Sequence, residues 1–319
     1  MKLLIGIDGG GTKTALCLAC GDGRVLKSLR GLGTNPSDLG MDECERRLEI
    51  QLDELLSEFE GRSAMIESVY AGVAGSGPVE TQRALNAALR RLLPNARIAD
   101  NATDGFNALY AEAEAGEGIS LISGTGSSAF ALSGGEIFQV GGWGYLIDDA
   151  GSGYRLGADA LRAAYRALDG RGEPTLLVEA CEKRLGMPLL SAIPKIYEGG
   201  KRFIATFSYA ALEAAGRGDA IANGIIADAA NALAEHLRVC ARHLRTFPAV
   251  TVICGGLIEH EEMLSRVRDA LGPDESRFRI VKPKVPPVYG ALVKAAWNAG
   301  LRTDDAFRQN FIAHYTSND

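Results

Sequence analysis

The chain has 319 residues, of which 46% are hydrophobic and 23% charged, and its net charge is −6. A length near 300 residues fits about two globular domains that bury most of their apolar surface without disulfide or metal staples. The acidic balance argues against a nucleic-acid binder, which needs a basic surface, and no run approaches 18 consecutive apolar residues, so no membrane-spanning helix is expected.

Residues 3–8 form an apolar run and 14–20 a second, and Gly21-Asp22-Gly23 turns the chain into a third at 24–30. Asp-Gly between two β-type runs is a hairpin signal. The first run is too short for a secretory signal and meets Asp8 and three glycines, so it reads as a buried strand of a cytoplasmic protein. Residues 41–59 carry Leu48, Leu52, Leu55, Leu56 and Phe59 at helical spacing. A strand at 68–74, a helix at 79–93 stopped by Pro94, a strand at 96–100 and a helix at 104–115 follow. Gly116-Glu117-Gly118 marks the expected boundary between a domain at 1–116 and another at 117–319, with the final helix a candidate to pack back on the first.

Past that boundary the opening recurs. A strand at 119–123, a Gly124-Thr125-Gly126-Ser127 loop, a strand at 128–133, a Gly134-Gly135 turn and a strand at 136–140 repeat the pattern of residues 3–30 with almost no shared side chains. Helices are expected at 153–169, 173–185, 201–216, 220–247, 260–271, 287–299 and 303–313, and strands at 249–253 and 277–282. Strands and helices mixed in this way give an α/β architecture with helices on both sheet faces. Among six cysteines, Cys17 and Cys20 form a CxxC, but in a strand residues i and i+3 point to opposite faces, so reduced buried thiols are expected. The four histidines show no metal-ligand spacing.

Five segments carry chemistry. Asp8-Gly9-Gly10-Gly11-Thr12-Lys13-Thr14 follows the first strand. Its glycines let backbone approach a ligand, consecutive amides can form an anion-binding concavity, and Thr12 and Lys13 add a hydroxyl and a cation. The spacing is not that of a Walker A loop, and a turn into a hairpin rather than a helix is unlike a dinucleotide fingerprint. Ser123-Gly124-Thr125-Gly126-Ser127-Ser128 stands at the same place in the second unit. A plain hairpin turn would account for either loop alone; the pair suggests two phosphate-holding hairpins facing each other across a cleft. Trp143, flanked by glycines, reads either as a core ring in a bend or as a ligand-facing one, and Asp148 or Asp149 could cap the following helix. Asp104, with Thr103, could cap a helix or accept a hydroxyl proton. An ordinary carboxyl pKa of about 4 would leave it ionised at neutral pH. Cys254-Gly255-Gly256-Leu257 is either a bare strand-to-helix turn or a place where a flat ring lies close on the backbone.

In order and spacing these segments resemble the N-acetylglucosamine kinase family, within the BadF/BadG/BcrA/BcrD-type ATPase group of the actin-like ATPase and sugar kinase superfamily. The resemblance covers nearly the whole chain, and its most specific pieces are DGGGTKT at 8–14, LISGTGS at 121–127, GGWG at 141–144 and GS at 151–152. It implies two ribonuclease-H-like (actin-like ATPase) domains with an interdomain cleft for ATP, closing on sugar binding. The implied reaction is ATP-dependent phosphorylation of an amino sugar, N-acetylglucosamine at its 6-hydroxyl. By this resemblance Asp8 helps hold Mg2+ through water, Gly10, Gly11, Thr12 and Lys13 meet the terminal phosphates, Gly124 and Thr125 form the second phosphate loop, and Gly255 and Gly256 lie on the adenosine side. Asn35, Gly126, Trp143, Gly144 and Asp149 match sugar-binding positions, and Asp104 matches a sugar-contacting catalytic base. A homodimer with no nucleic-acid or membrane partner is implied likewise.

Two departures bear on the sugar. Asp148-Asp149-Ala150-Gly151-Ser152 stands where the family often reads Gly-Asp-Glu-Gly-Ser, and the extra negative charge would favour an amine over an acetamide. Ser37 replaces a bulky aromatic of the animal enzymes. Glucosamine and N-acetylmuramic acid are therefore alternative substrates. Two further readings are a BadF-type ATPase activator of a dehydratase and a non-catalytic sugar sensor. The first holds an iron–sulfur cluster through cysteines near the second loop, and none lies between Cys44 and Cys181; the second usually adds a helix-turn-helix before the first strand.

Overall fold

A computed structural model describes residues 2–59, 66–112 and 116–316. The chain divides into two compact units, one made of the residues before Gly116 together with those from Pro283 onward, the other of Gly116–Lys282.

The first unit begins β1 (Leu3–Gly9), β2 (Lys13–Cys20), β3 (Val25–Leu32), α1 (Pro36–Leu39), α2 (Met41–Leu56), β4 (Ile66–Val73), α3 (Val79–Leu92), β5 (Ile98–Ala102) and α4 (Gly105–Glu112). The second runs β6 (Gly118–Ser123), β7 (Ser127–Ser133), β8 (Glu136–Val140), α5 (Gly153–Leu168), α6 (Leu177–Leu185), α7 (Ile193–Ala205), α8 (Ser208–Gly216), α9 (Ala220–Ala241), β9 (Ala249–Cys254), α10 (Glu261–Leu271) and β10 (Phe278–Val281). The first unit is completed by α11 (Pro287–Asn298) and α12 (Asp305–His314).

Each unit holds one five-stranded sheet, ordered β3-β2-β1-β4-β5 and β8-β7-β6-β9-β10. In both, the first three strands are antiparallel and the last two join in parallel. The architectural repeat read from the two Gly-Thr hairpins is thus a repeat of topology, and this strand order is that of a ribonuclease-H-like fold.

In β1 the period-2 pleat sends Leu3, Ile5 and Ile7 to one face, where they meet Cys44, Leu48, Leu52 and Leu55 of α2 and Leu85 and Leu89 of α3. The opposite face receives α11. A Cβ on Gly6 would stand 2.7 Å from the Leu292 amide nitrogen, so the helix rests directly on the strand backbone. Two covered faces explain why β1 is apolar without alternation. In the second unit, Ile119, Leu121, Ala129 and Ala131 pack with Leu156, Ala160 and Ala164 of α5 and Leu233 and Leu237 of α9.

Several expectations are corrected. Residues 283–319 were expected in the second domain, with the final helix alone returning; α11 joins the first unit as well, because Gly6 admits it onto β1. The helix expected at 201–216 is two helices, α7 and α8, and α7 begins at Ile193 with a break at Gly200 (φ 58, ψ −159). The helix expected to reach 247 ends at Ala241, and the Arg245 and Thr246 amides turn back to donate to the Glu117 carboxylate. The short α1, capped by Asn35 with Pro36 in its first turn, was not anticipated. Of the helix expected over 104–115, Gly105–Glu112 is described as α4, and 113–115 lie outside the described residues.

Candidate active site

In the first unit the candidate residues gather at the C-terminal ends of β1, β4 and β5. The β1–β2 loop is pinned on two sides: Gly9 O accepts the Ala74 amide at 2.7 Å and Gly10 O accepts the Thr34 amide at 3.0 Å. Gly10 N–H closes the turn on Lys13 O at 2.9 Å, leaving the Thr12 and Lys13 side chains exposed. Beneath them the Thr14 and Thr34 hydroxyls pair at 2.9 Å in full burial.

Asp8 Oδ1 accepts a hydrogen bond from Asn107 Nδ2 at 2.6 Å. Burial, reinforced by the negative charge of Asp104, pushes the Asp8 carboxyl up to about 6, against the pull of Asn107 and Lys13. Asp104 lies just past β5 and takes a hydrogen bond from Thr103 Oγ1 at 3.1 Å. Burial raises its pKa too, so the expectation of an ordinary carboxyl is corrected: the surroundings disfavour its charge. Asp8, Asp104 and Lys13 thus form one electrostatic cluster. Asn107 is fully buried; its Nδ2 also donates to Gly72 O at 3.2 Å, and any Cβ on Gly72 would overlap its amide. Asn107 Oδ1 is a buried acceptor without a partner among the described residues. Sequence reasoning missed Asn107, although its place one helical turn after Asp104 was a usable signal.

Asn35, the expected sugar ligand, caps α1: its Oδ1 accepts the Ser37 amide at 2.9 Å and its Nδ2 donates to Asp38 at 3.0 Å. It crowds Gly75, and neighbouring Ser76 donates to Ala102 O at 3.0 Å, two residues before Asp104. Asn35 and the strand end that leads to Asp104 therefore both lie against the Gly75-Ser76 segment that follows β4.

In the second unit the β6–β7 loop closes with Gly124 N–H on Gly126 O at 2.9 Å. Its carbonyls are held from outside: Ser123 O accepts the Leu257 and Ile258 amides at 3.1 Å, Gly124 O that of Gly153 at 2.7 Å, and Thr125 O that of Tyr154 at 3.1 Å. This brings the loop, the Gly255-Gly256 turn and the start of α5 together. They line a pocket of about 200 Å³ with Gly124, Thr125, Gly256 and Leu257 on one side and Arg202 of α7, Thr206 of the junction and Tyr209 of α8 among the residues on the other. Arg202, Thr206 and Tyr209 were not anticipated.

Trp143 and Gly144 lie in a tight turn in which Gly144 O accepts the amides of Ile147 and Asp148 at 2.9 and 2.8 Å. The reading of Trp143 as a core ring is corrected: it is 61% exposed, and Leu146 and Ile147 are 82% and 83% exposed. The cap of α5 is Ser152 rather than Asp148 or Asp149. Asp149 is buried, its Oδ1 accepting the Ser127 amide at 2.8 Å and its Oδ2 lying 3.2 Å from Lys201 Nζ. The six cysteines form no disulfide, and five are buried.

The BadF/BadG/BcrA/BcrD ATPase family profile matches residues 5–295, spanning both glycine hairpins, both sheets and most of α11. The chain belongs to the BadF/BadG/BcrA/BcrD ATPase family. Among its relatives, a Clostridium acetobutylicum N-acetylmuramic acid/N-acetylglucosamine kinase is 30% identical over 302 residues, covering 92% of this chain and 98% of the relative. A Dictyostelium discoideum N-acetyl-D-glucosamine kinase is 28% identical over 283 residues, covering 83% and 88%. The solved structure of a Chromobacterium violaceum protein provisionally assigned as an N-acetylglucosamine kinase superposes with a TM-score of 0.69 at 25% identity, covering 92% of this chain and 98% of that one. No helix among the described residues is long and apolar enough to cross a membrane.

Proposed function

We propose that the chain is an ATP-dependent amino-sugar kinase acting on N-acetylglucosamine at the 6-hydroxyl, a cytoplasmic enzyme working as a homodimer. The observation that carries the proposal is the Asp8 carboxylate, held by Asn107 Nδ2 at 2.6 Å at the start of the braced glycine loop that carries Lys13, with Asp104 one helical turn before Asn107. Phosphoryl transfer asks for positioning and charge stabilisation more than covalent chemistry, and this cluster offers a cation, a backbone cradle and two carboxylates with separate tasks.

Asp104 is assigned as the base. It accepts the proton of the sugar hydroxyl as that oxygen bonds to the γ-phosphorus and the bond to the β,γ-bridging oxygen breaks, releasing ADP. A carboxyl raised by burial is a better proton acceptor than an ordinary one. Asp8, oriented by Asn107, is assigned to Mg2+ through water. Its hard carboxylate oxygen suits that ion, and a cation beside it would relieve the burial that raises its pKa. Bound Mg2+ would supply neutralisation of phosphate charge. Lys13, Thr12 and the amides of Gly10 and Gly11 are assigned to the terminal phosphates, Gly124 and Thr125 to the second phosphate contact, and Gly255 and Gly256 to the adenosine side. Asn35, Gly126, Trp143, Gly144 and Asp149 are assigned to the sugar. Lys201 offsets the charge of Asp149, so the acidic pair presents one negative charge rather than two, which weakens the pull toward an amine that the pair would otherwise exert.

One coupled assay tests this: ATP with N-acetylglucosamine, glucosamine, N-acetylmuramic acid, N-acetylmannosamine and glucose. Expected is ADP release dependent on N-acetylglucosamine above the others. ATP turnover unaffected by any sugar would overturn the proposal.

A further inference from the structure

The second phosphate loop, Ser123 to Ser128, contains no basic residue, whereas the first has Lys13. A triphosphate held by backbone amides alone would leave much of its charge uncompensated. The structure brings a cation to this loop from elsewhere. Lys201 Nζ lies 3.4 Å from the point where a Cβ on Gly126 would stand, so the ammonium abuts the loop backbone. It also lies 5.3 Å from the centre of the Tyr145 ring.

Its protein partner is Asp149, at 3.2 Å, and the two are unequally buried: the Lys201 side chain is 33% exposed and that of Asp149 only 4%. Asp149 Oδ2 takes no well-directed hydrogen bond, so the ion pair at 3.2 Å ties down at most one of the ammonium's three N–H donors. Lys201 follows the break at Gly200, and the next residue, Arg202, lines the pocket beside Gly124 and Thr125. A compact charge on a four-carbon stem, with donors to spare beyond its ion pair, can turn from a carboxylate to an arriving anion without moving the backbone.

We propose that Lys201 is the cation of the second phosphate loop, resting on Asp149 in the free protein and binding phosphate oxygens of the nucleotide when it arrives. This rests on the reading of the second hairpin as a nucleotide loop. The bland explanation is that Lys201 only neutralises a buried carboxylate, whose loss would leave an uncompensated charge. The two explanations part in a binding experiment.

The full chain and its Lys201→Met, Lys201→Arg and Asp149→Asn/Lys201→Met variants are titrated calorimetrically with ATP, ADP and adenosine, and their melting temperatures are measured. A charge-assisted phosphate contact predicts that Lys201→Met weakens ATP about 10- to 100-fold and leaves adenosine unchanged. Lys201→Arg should recover part of the loss. The double variant should regain the melting temperature, its buried charge being gone, and still bind ATP weakly. The inference is overturned if Lys201→Met binds ATP as the wild type does, if ATP and adenosine weaken equally, or if the double variant recovers ATP affinity. Failure of wild-type protein to bind ATP at all would instead sink the nucleotide-loop reading.

Discussion

Asp8 is a charge that the fold holds at a cost, and its removal should stabilise the protein while abolishing turnover. The unfolded chain releases the Asp8 proton near its ordinary 3.8, and the folded chain near 6. Between those values the native state binds more protons than the unfolded one, so stability falls as pH rises from about 4 to about 6 and stays lowered above. A displacement of about two pK units corresponds to ~3 kcal/mol at neutral pH. Asp8→Asn keeps an oxygen for Asn107 Nδ2 and removes the charge; its new N–H donors need acceptors, which trims the gain to about 1–3 kcal/mol. In a unit of roughly 150 residues that is a rise of several degrees in melting temperature. Urea unfolding of wild type and Asp8→Asn at pH 4 and pH 7.5 reads it out. Expected are near-equal stabilities at pH 4, a more stable variant at pH 7.5, and no sugar-dependent turnover by the variant. A variant no more stable at pH 7.5, or a difference that ignores pH, would refute the assignment of burial as the dominant influence on Asp8.

The remaining expectations address the other named positions. Asp104→Asn should lower kcat about 10²–10⁴-fold while ATP still binds in calorimetry, and retention of activity within tenfold would remove Asp104 from the role of base. In the wild type, kcat/KM should climb with pH through an inflection above the usual carboxylate range, since burial raises the Asp104 pKa and the ionised form is the active one; stopped-assay pH profiles check this. Gly6→Ala forces α11 off β1 and should cost about 1–3 kcal/mol or more in urea unfolding. Trp143→Ala, at an exposed ring, should leave stability within about 0.5 kcal/mol and raise KM for the sugar, and an unchanged KM would detach Trp143 from the site.

Much of the fold was legible because its signals are local. Buried strands read as apolar runs at 3–8 and 119–123, each ended by glycines, and helix α2 showed its period. The glycines of both hairpins marked the candidate site for the same reason: a missing Cβ is visible in the sequence, whatever packs against it. Other parts depend on neighbours distant along the chain. Asn107 looks like any polar residue on a helix until β1 and Gly72 are brought to it, and Lys201 looks like a helix-surface lysine until Asp149 faces it. The raised pKa of Asp104 is a consequence of burial, which composition does not carry. The division between α7 and α8 falls at Thr206 and Phe207, with no proline or glycine there; Phe207 is fully buried, so packing rather than a breaker divides them.

The shared strand order lets the two units be compared position by position, and they have diverged in chemistry. β1 corresponds to β6, β4 to β9 and β5 to β10. At the end of β1 the first unit carries Asp8, where the second ends β6 with Ser123, whose hydroxyl donates to Gly151 O at 2.7 Å. Past β5 stands Asp104; past β10 stands Lys282, which donates to Glu259 O at 3.0 Å. The ionisable pair that could handle protons and a metal is therefore confined to the first unit, and the second keeps the braced hairpin and the pocket. If that asymmetry is functional, substitutions at Asp8, Asn107 and Asp104 should fall mainly on kcat, and substitutions at Gly124, Tyr209 and Gly256 mainly on KM for ATP. Steady-state kinetics of the two sets, compared under one set of conditions, decides whether the two units divide the labour in this way or both serve the same step.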